Sequence, residues 1–176
     1  IYCKMNSENL FRTNFVGHVL VDRPPEVPED EFFHSKRVLI AEDNEINLKV
    51  LLFMLRNLGI EFMISSNGRE AVDMFERCWQ ELDLILMDIQ MPGLKVTETV
   101  HSFQEMDGIE ATLRIKEKQR YLGKTIPIIA VTATVTPEKV KDLKEAGMDG
   151  LVTKPVKLEE LKRTIFQSLT GKSSYQ

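Results

Sequence analysis

Five short apolar runs recur between residues 36 and 154, and they constrain the fold more than any other feature of the chain. The runs are KRVLIA, EFMIS, LDLILMD, IPIIAVTA and DGLVTK. None alternates strictly between apolar and polar residues, which is typical of strands that are buried on both faces. Segments with helical spacing separate the runs. This order predicts an α/β fold in which helices cover both faces of a five-stranded parallel sheet.

Helix-boundary signals lie in the segments between these runs. The first helix is expected over residues 44–58, where Gly59 stops it. Its apolar stripe is expected at Ile46, Val50, Met54 and Leu58. A second helix starts at Asn67, with Glu70 three residues later as in a capping box. The other helices are expected to start near Gly108, at Thr136–Pro137 (ending at Gly147) and near Lys157. The last one places these residues on one side: Leu158, Leu161, Ile165 and Leu169.

Composition and charge narrow the functional class. The 176 residues carry a net charge of −4 with scattered Lys and Arg, which disfavours a nucleic-acid surface. The two cysteines, Cys3 and Cys78, form neither a disulfide framework nor a metal-finger spacing, so we expect a reducing, cytoplasmic compartment. No stretch reads as a membrane span or as a signal peptide.

The two ends of the chain differ from its centre. Residues 1–35 include DRPPEVPED and lack sustained periodicity, so we expect a linker or the end of an upstream domain. Residues 171–176 are expected to form a tail. Because the chain starts with Ile1 rather than Met, we interpret it as a piece of a longer protein.

Polar residues follow the predicted strands at one edge of the sheet. They are Glu42 and Asp43 after the first strand, Asp88 after the third, Thr132 after the fourth, and Lys154 with Pro155 after the fifth. Ligands of open parallel sheets bind beyond the carboxyl ends of the strands, so these side chains are expected to converge there. Taken singly, each has an ordinary explanation, such as a helix cap, a solvated acid pair or a surface lysine. Their joint placement favours a functional site.

The chemistry of these side chains is that of a phosphoryl site beside a metal. Three crowded carboxylates repel one another unless a cation joins them. Mg²⁺ prefers oxygen ligands and typically binds one or two carboxylates together with a phosphate. Lys154 supplies a point charge, and Thr132 a hydroxyl, for the phosphoryl oxygens. Asp88 is then the candidate nucleophile, because carboxylates can form aspartyl phosphates.

Five motifs in order closely resemble the receiver domain of two-component response regulators, most of all the receivers attached to hybrid histidine kinases. They are RVLIAEDNEIN, LILMDIQMP, MDGIEATLRI, IIAVTA and AGMDGLVTKP. The resemblance covers residues 36–170 and implies a flavodoxin-like doubly wound sheet of strand order 2-1-3-4-5. The implied ligands of Mg²⁺, or alternatively Mn²⁺, are Glu42, Asp43, Asp88 and the backbone carbonyl of Gln90. Thr132 and Lys154 would contact the phosphoryl oxygens, and Pro155 would follow a cis peptide bond that orients the lysine.

The resemblance also implies an activity. A phosphohistidine on a histidine kinase or a histidine phosphotransfer protein would donate its phosphoryl group to Asp88. The receiver itself would supply most of the catalysis of this transfer and of the later dephosphorylation. The modified domain would repack the face formed by the fourth helix, fifth strand and fifth helix, which an output partner reads. Neither a nucleic-acid partner nor direct insertion into a membrane is expected.

Three features depart from the family pattern or modify it. Residues 94–105 are extra in the loop after the third strand, and we expect a mobile solvent loop, with a lid or a docking element as alternatives. Leu151 stands where the family often has an aromatic ring, which puts the usual aromatic coupling in doubt. Gln90 and Thr134 occupy the positions that tune the lifetime of the aspartyl phosphate in this family.

Several alternatives stay open at this point. The chain could be a single-domain response regulator, a degenerate receiver that takes no phosphate, or an Asp-nucleophile phosphatase, although the phosphatase would want a second acid at Gln90. A flavodoxin-like electron carrier would need a hydroxyl-rich phosphate loop where AEDNEIN is acidic. A histidine phosphotransfer module is disfavoured, because His18, His34 and His101 lie outside long helices.

Overall fold

A five-stranded parallel sheet forms the centre of the molecule. The computed structural model describes residues 29–91 and 106–171. The strands are β1 (Arg37–Ala41), β2 (Glu61–Ser65), β3 (Leu84–Asp88), β4 (Ile128–Thr132) and β5 (Gly150–Thr153). Their order is β2-β1-β3-β4-β5, and every neighbouring pair is parallel. The expected flavodoxin-like order is confirmed, so the strand ends that carry polar residues meet at one edge.

Within the described ranges, six α-helices and one short 3₁₀ turn surround the sheet. They are α1 (Glu29–Phe33), α2 (Glu45–Asn57), α3 (Gly68–Cys78), α4 (Gly108–Leu122), α5 (Pro137–Glu145) and α6 (Leu158–Leu169), with the 3₁₀ turn at Trp79–Glu81. Four of the helices are capped at their N-terminus by a side chain. In each case the side-chain oxygen accepts a hydrogen bond from the backbone N–H of a residue two or three positions later. These caps are Asn44, Asn67, Asp107 and Thr136. Each such cap stabilises its helix by about 1 kcal/mol.

The hydrophobic core lies on both faces of the sheet. Leu39 and Ile85 pack on the side of α3 and α4, whereas Ile40 and Leu86 pack on the side of α2 and α6. The central strands β1, β3 and β4 are buried almost throughout. Strands β2 and β5 form the two edges and are only partly buried. The expected burial on both faces therefore holds for the three central strands and not for the two edges.

The buried face of α2 differs from the expected stripe. Ile46 and Val50 are 72% and 42% exposed, whereas Leu51 and Leu55 are buried in the core. Each step of four residues turns the side-chain direction by about 40° around the helix axis, so a strict four-residue series drifts away from a single face. Of the expected series, only Met54 and Leu58 lie close to the core, where Met54 is half-buried and Leu58 is buried. The prediction was wrong for the first two turns, because α2 carries apolar residues on nearly every side.

The apolar side of α6 is confirmed. Leu161 and Ile165 are buried, and Leu158 and Leu169 pack partly buried against the same cluster. This cluster covers the face of the sheet that α2 also covers. Burial of several apolar side chains on one helix contributes a few kcal/mol, at about 1.5–3 kcal/mol for each fully buried side chain.

Helix α1 lies inside the segment 1–35 that was expected to be a linker or the end of an upstream domain. Its Phe33 is 0% exposed and belongs to the core cluster of α2 and α6. The ring of Phe32 lies edge-on to the ring of Phe166 in α6, with centroids 4.9 Å apart. The described end of this segment is thus packed onto the sheet domain.

Three of the sequence predictions concern residues outside the described ranges. These are residues 1–28 of the expected linker 1–35, the loop 94–105, and residues 172–176 of the expected tail 171–176. None of the described helices combines the length and the apolarity that crossing a membrane requires.

Candidate functional site

Three carboxylates meet at the carboxyl edge of the adjacent strands β1 and β3. Glu42 and Asp43 directly follow β1, and Asp88 is the last residue of β3. The parallel register pairs Ala41 with Met87, which brings the two strand ends side by side. One oxygen from each carboxylate lies within 4.8 Å of the other two. Glu42 and Asp88 are each 2% exposed whereas Asp43 is exposed, so the group opens to solvent on the side of Asp43.

The ammonium of Lys154 bridges two of these carboxylates. Its Nζ lies 2.6 Å from Asp88 Oδ2 and 2.8 Å from Glu42 Oε2. Lys154 directly follows β5, two strands away from β3, and its backbone N–H donates to Thr132 O at 2.8 Å. The Lys154–Pro155 peptide bond is cis, as expected. A long side chain, anchored at the end of an edge strand, thus carries a positive charge to two buried acids.

Burial and neighbouring charges shift the protonation equilibria of this group. Burial raises the pKa of Glu42 above its ordinary value, while hydrogen bonds from Lys154 and Asn47 act in the opposite direction. Burial alone would lower the pKa of Lys154, but its bonds to Asp88 and Glu42 outweigh burial and raise it. Lys154 is therefore charged at neutral pH. The ionised forms of Lys154 and the three acids carry a formal charge of −2 together, which a divalent cation would neutralise.

One oxygen of Glu42 fits the requirements of a cation ligand. Oε1 accepts hydrogen bonds from Asn47 Nδ2 at 2.9 Å and from the Asn44 N–H at 3.3 Å. Oε2 is buried, and the Lys154 ammonium lies 2.8 Å from it. A carboxylate oxygen has more than one lone pair, so Oε2 can contact a cation in addition to Lys154. The three acids offer oxygen donors alone, which is the donor set that a hard cation such as Mg²⁺ prefers.

The hydroxyl of Thr132 lies at the same edge of the sheet and bonds with the loop that follows β4. Thr132 ends β4 and is fully buried, next to the pairing of Val131 with Asp88. Its Oγ1 accepts from the Thr134 N–H at 3.4 Å and donates to Thr134 O at 3.3 Å. Thr134 itself is exposed. The structure therefore places Thr132 beside the strand of Asp88 and Thr134 at the surface above it.

Gln90 and Leu151 occupy different surroundings. Gln90 is exposed, and its backbone N–H donates to Asp88 Oδ1 at 2.9 Å. This contact is made by the backbone N–H of Gln90, whereas the sequence resemblance implies that its backbone carbonyl is a metal ligand. Leu151 is half-buried in β5 and packs against the core cluster of α3 and α4. Gln90 thus holds one oxygen of Asp88, and Leu151 serves as a packing contact.

Gly108, the first residue of α4, was not singled out as a site residue from the sequence. A Cβ at this position would lie 2.0 Å from the carbonyl oxygen of Asp88. Any side chain would therefore push the start of α4 away from the end of β3. Glycine weakens a helix by about 1 kcal/mol relative to alanine. A glycine at the first position of a predicted helix therefore needs another reason, and this signal in the sequence could have identified Gly108 as a site residue.

Comparisons with known proteins agree on one family. Residues 38–166 match the family model described as response regulator receiver domain. Histidine kinase 5 of Arabidopsis thaliana is 35% identical over 145 residues, which cover 76% of this chain and 16% of that protein. The receiver domain of the histidine kinase CKI1 from Arabidopsis thaliana, complexed with Mg²⁺ and BeF₃⁻, is 30% identical with a TM-score of 0.68, covering 82% of this chain and 95% of that one.

A second solved structure is the Saccharomyces cerevisiae complex of the histidine phosphotransfer protein Ypd1 with the receiver domain of the response regulator Ssk1. Its matching chain is 29% identical with a TM-score of 0.65, and the match covers 82% of this chain and 95% of that one. The curated relatives are much longer than this chain, which spans 19%, 16% and 6% of the length of the first three.

Proposed function

This chain belongs to the family of response regulator receiver domains, and from that membership we propose that it accepts a phosphoryl group from a phosphohistidine onto Asp88 in a Mg²⁺-dependent reaction. The observation that carries the proposal is the environment of Asp88. This carboxylate is 2% exposed, lies 2.6 Å from the Lys154 ammonium, and shares a 4.8 Å cluster with two further acids. A carboxylate that only caps a helix needs neither a half-buried ammonium nor neighbouring acids.

The cation would be held by the three carboxylates of the cluster. Glu42, Asp43 and Asp88 would supply side-chain oxygens, and the backbone carbonyl of Gln90 is proposed as a further ligand. When bound, Mg²⁺ would neutralise charge that develops on the transferring phosphoryl group. Mn²⁺ is the alternative, since it also takes carboxylate and carbonyl oxygens. The buried Oε2 of Glu42 supports the assignment, because a carboxylate oxygen can bind a cation in addition to its ion pair with Lys154.

The side chains around Asp88 would perform the transfer by position and charge. An oxygen of Asp88 forms the new P–O bond while the P–N bond to the donor imidazole breaks. The electron pair of the broken P–N bond returns to the ring nitrogen. Lys154 Nζ, which already touches Asp88 Oδ2, is placed to contact an oxygen of the bound phosphoryl group. The hydroxyl of Thr132 would become a second donor once its bonds with Thr134 open. Gln90 and Thr134, both exposed, would control the access of water that ends the phosphorylated state.

The phosphodonor is proposed to be a histidine kinase or a histidine phosphotransfer protein that covers the start of α2. Ile46, Val50 and Phe53 form an exposed apolar patch on this helix, with Ile46 and Phe53 72% and 66% exposed. The helix begins at Glu45, two residues after Asp43 of the site. A protein that places an imidazole at Asp88 must also cover the neighbouring surface, and exposed apolar patches often mark protein contacts.

The output partner is proposed to read the face of α5, β5 and α6. Lys154 directly follows β5, so a change in its contacts with Asp88 acts on this face. The receiver is proposed to span residues 36–170 of a cytoplasmic segment within a hybrid sensor histidine kinase, since the curated relatives include hybrid kinases. A single-domain response regulator is the alternative.

Replacing Asp88 by Asn tests the proposed function. Phosphoramidate, a small donor with a P–N bond, is expected to add one phosphoryl group to the wild-type domain in the presence of Mg²⁺ and none to Asp88→Asn, because an amide oxygen is a far poorer nucleophile. Intact-mass spectrometry measures the labelling. Asp73→Asn, which changes an exposed acid on α3, is the matched control and should label like the wild type. Full labelling of Asp88→Asn would overturn the assignment of the phospho-acceptor.

A further inference from the structure

Asn47 connects the first turn of α2 to the acids of the site. Its Nδ2 donates to Glu42 Oε1 at 2.9 Å, while the other donor to this oxygen, the Asn44 N–H, lies farther away at 3.3 Å. The side chain of Glu42 is 0% exposed. Glu42 follows β1, and Asn47 lies inside α2, so this bond ties the end of a strand to the helix that follows it.

The same bond determines which oxygen of Glu42 faces the other charged groups. With Oε1 held by Asn47, Oε2 is the atom that lies 2.8 Å from Lys154 Nζ. This atom is buried, and a carboxylate oxygen can hold a cation in addition to such a partner. A carboxylate that could turn about its last bond would present its oxygens at varied angles. That freedom would weaken the binding of Mg²⁺, which demands near-octahedral geometry.

Capping of the helix does not account for the amide of Asn47. Asn44 is the cap of α2, since its Oδ1 accepts from the N–H groups of Ile46 and Asn47 at 2.9 and 3.2 Å. Asn47 is the third residue of the helix, a position where asparagine is a poorer helix former than alanine. The side-chain amide therefore acts on Glu42 and not on the helix end.

We propose that Asn47 is a positioning residue, which orients Glu42 so that Oε2 points at the cation and thereby sets the affinity of the domain for Mg²⁺. The inference rests on the proposed function, because it requires a cation at Glu42, Asp43 and Asp88. Residues that orient a metal ligand from behind typically change metal affinity by about 10- to 100-fold when they are replaced.

The variant Asn47→Ala removes the amide and retains a residue that favours the helix. Titration with MgCl₂ alone, followed by amide NMR shifts, is expected to give a Kd at least about 10-fold higher than that of the wild type. Asn57→Ala, at the exposed far end of α2, is the matched control, and its Kd should equal that of the wild type. Thermal unfolding shows that each variant is folded at the temperature of the titration. Asn47→Ser takes the place of the alanine variant if the latter unfolds.

A double-mutant cycle separates positioning from a general effect on the fold. In a Glu42→Ala background, Asn47→Ala should cause no additional loss of Mg²⁺ affinity, because Asn47 acts through Glu42. The inference is overturned if Asn47→Ala alone binds Mg²⁺ like the wild type, or if its loss is equally large in the Glu42→Ala background. A wild-type domain that binds no Mg²⁺ would overturn the proposed metal site itself.

Discussion

The ammonium of Lys154 is shared between two buried carboxylates, those of Glu42 and Asp88. Two acids in a buried site repel each other and lose hydration, so they need a cation beside them. A divalent cation held by the same oxygens would meet that need as well. If the proposed cation binds there, the ammonium of Lys154 and the metal would partly substitute for each other in stabilising the two acids.

Replacing Lys154 by Met retains much of the side-chain length and removes the charge. Without Mg²⁺, the free energy of unfolding is expected to fall by about 2 kcal/mol, because two buried acids lose their counter-ion. Added Mg²⁺ is expected to stabilise the variant more than the wild type. Urea unfolding with and without Mg²⁺ measures both effects, with the exposed Lys157→Met as control. A loss of equal size in both conditions would contradict the shared role.

At the scale of secondary-structure elements, the start of α3 shows how local bonds set the beginning of a helix. Asn67 Oδ1 accepts from the Glu70 N–H at 2.8 Å. The Glu70 carboxylate accepts in return from the N–H and the hydroxyl of Ser66, at 2.7 and 2.8 Å. The expected capping box is present, with its return bond shifted one residue upstream. The backbone and side-chain hydrogen bonds from Ser66 lower the pKa of Glu70.

Glu70→Gln is expected to lower the free energy of unfolding by about 0.5 kcal/mol near neutral pH, a small value because water screens this exposed carboxylate. The folded-state pKa of Glu70 lies below the ordinary value of 4.5, so its contribution is present above that pH and is lost as the pH falls through the folded value. Urea unfolding at neutral and at acidic pH measures the difference from the wild type. Glu117→Gln, at an exposed position on α4, should show no such trend.

For the molecule as a whole, the folded unit extends upstream of the family match. The match begins at residue 38, yet α1 over Glu29–Phe33 inserts Phe33 into the core between the sheet, α2 and α6. The contact of Phe32 with Phe166 joins α1 to the last helix. Helix α1 is therefore packed against α6 within the same folded unit.

Phe33→Ala is expected to reduce the free energy of unfolding by about 3–5 kcal/mol, because it removes a large side chain from a fully buried position. Phe53→Ala removes the same group from a position that is 66% exposed and should cost less than about 0.5 kcal/mol. Urea unfolding of the two variants provides the comparison. Equal stabilities would mean that α1 does not belong to the folded unit.

Periodicity and chain order alone predicted the five-stranded parallel sheet and the edge where the candidate site lies, whereas the strand order followed from the family resemblance. Parallel strands joined by helices all run in one direction, so the polar residue after each apolar run reaches the same edge. The order of the apolar runs along the chain is thus sufficient to locate the strand ends and the side chains that follow them. They are Glu42, Asp43, Asp88, Thr132 and Lys154.

Packing between distant segments decided the remaining contacts. α2 carries apolar residues on nearly every side, so its periodicity left the buried face open, and the sheet selected Leu51 and Leu55. The contact of Gly108 with Asp88 and the bond of Asn47 to Glu42 depend on how closely a helix approaches a strand end. Periodicity determines which side chains an element presents, whereas the shape and charge of its neighbours determine which of these side chains are used.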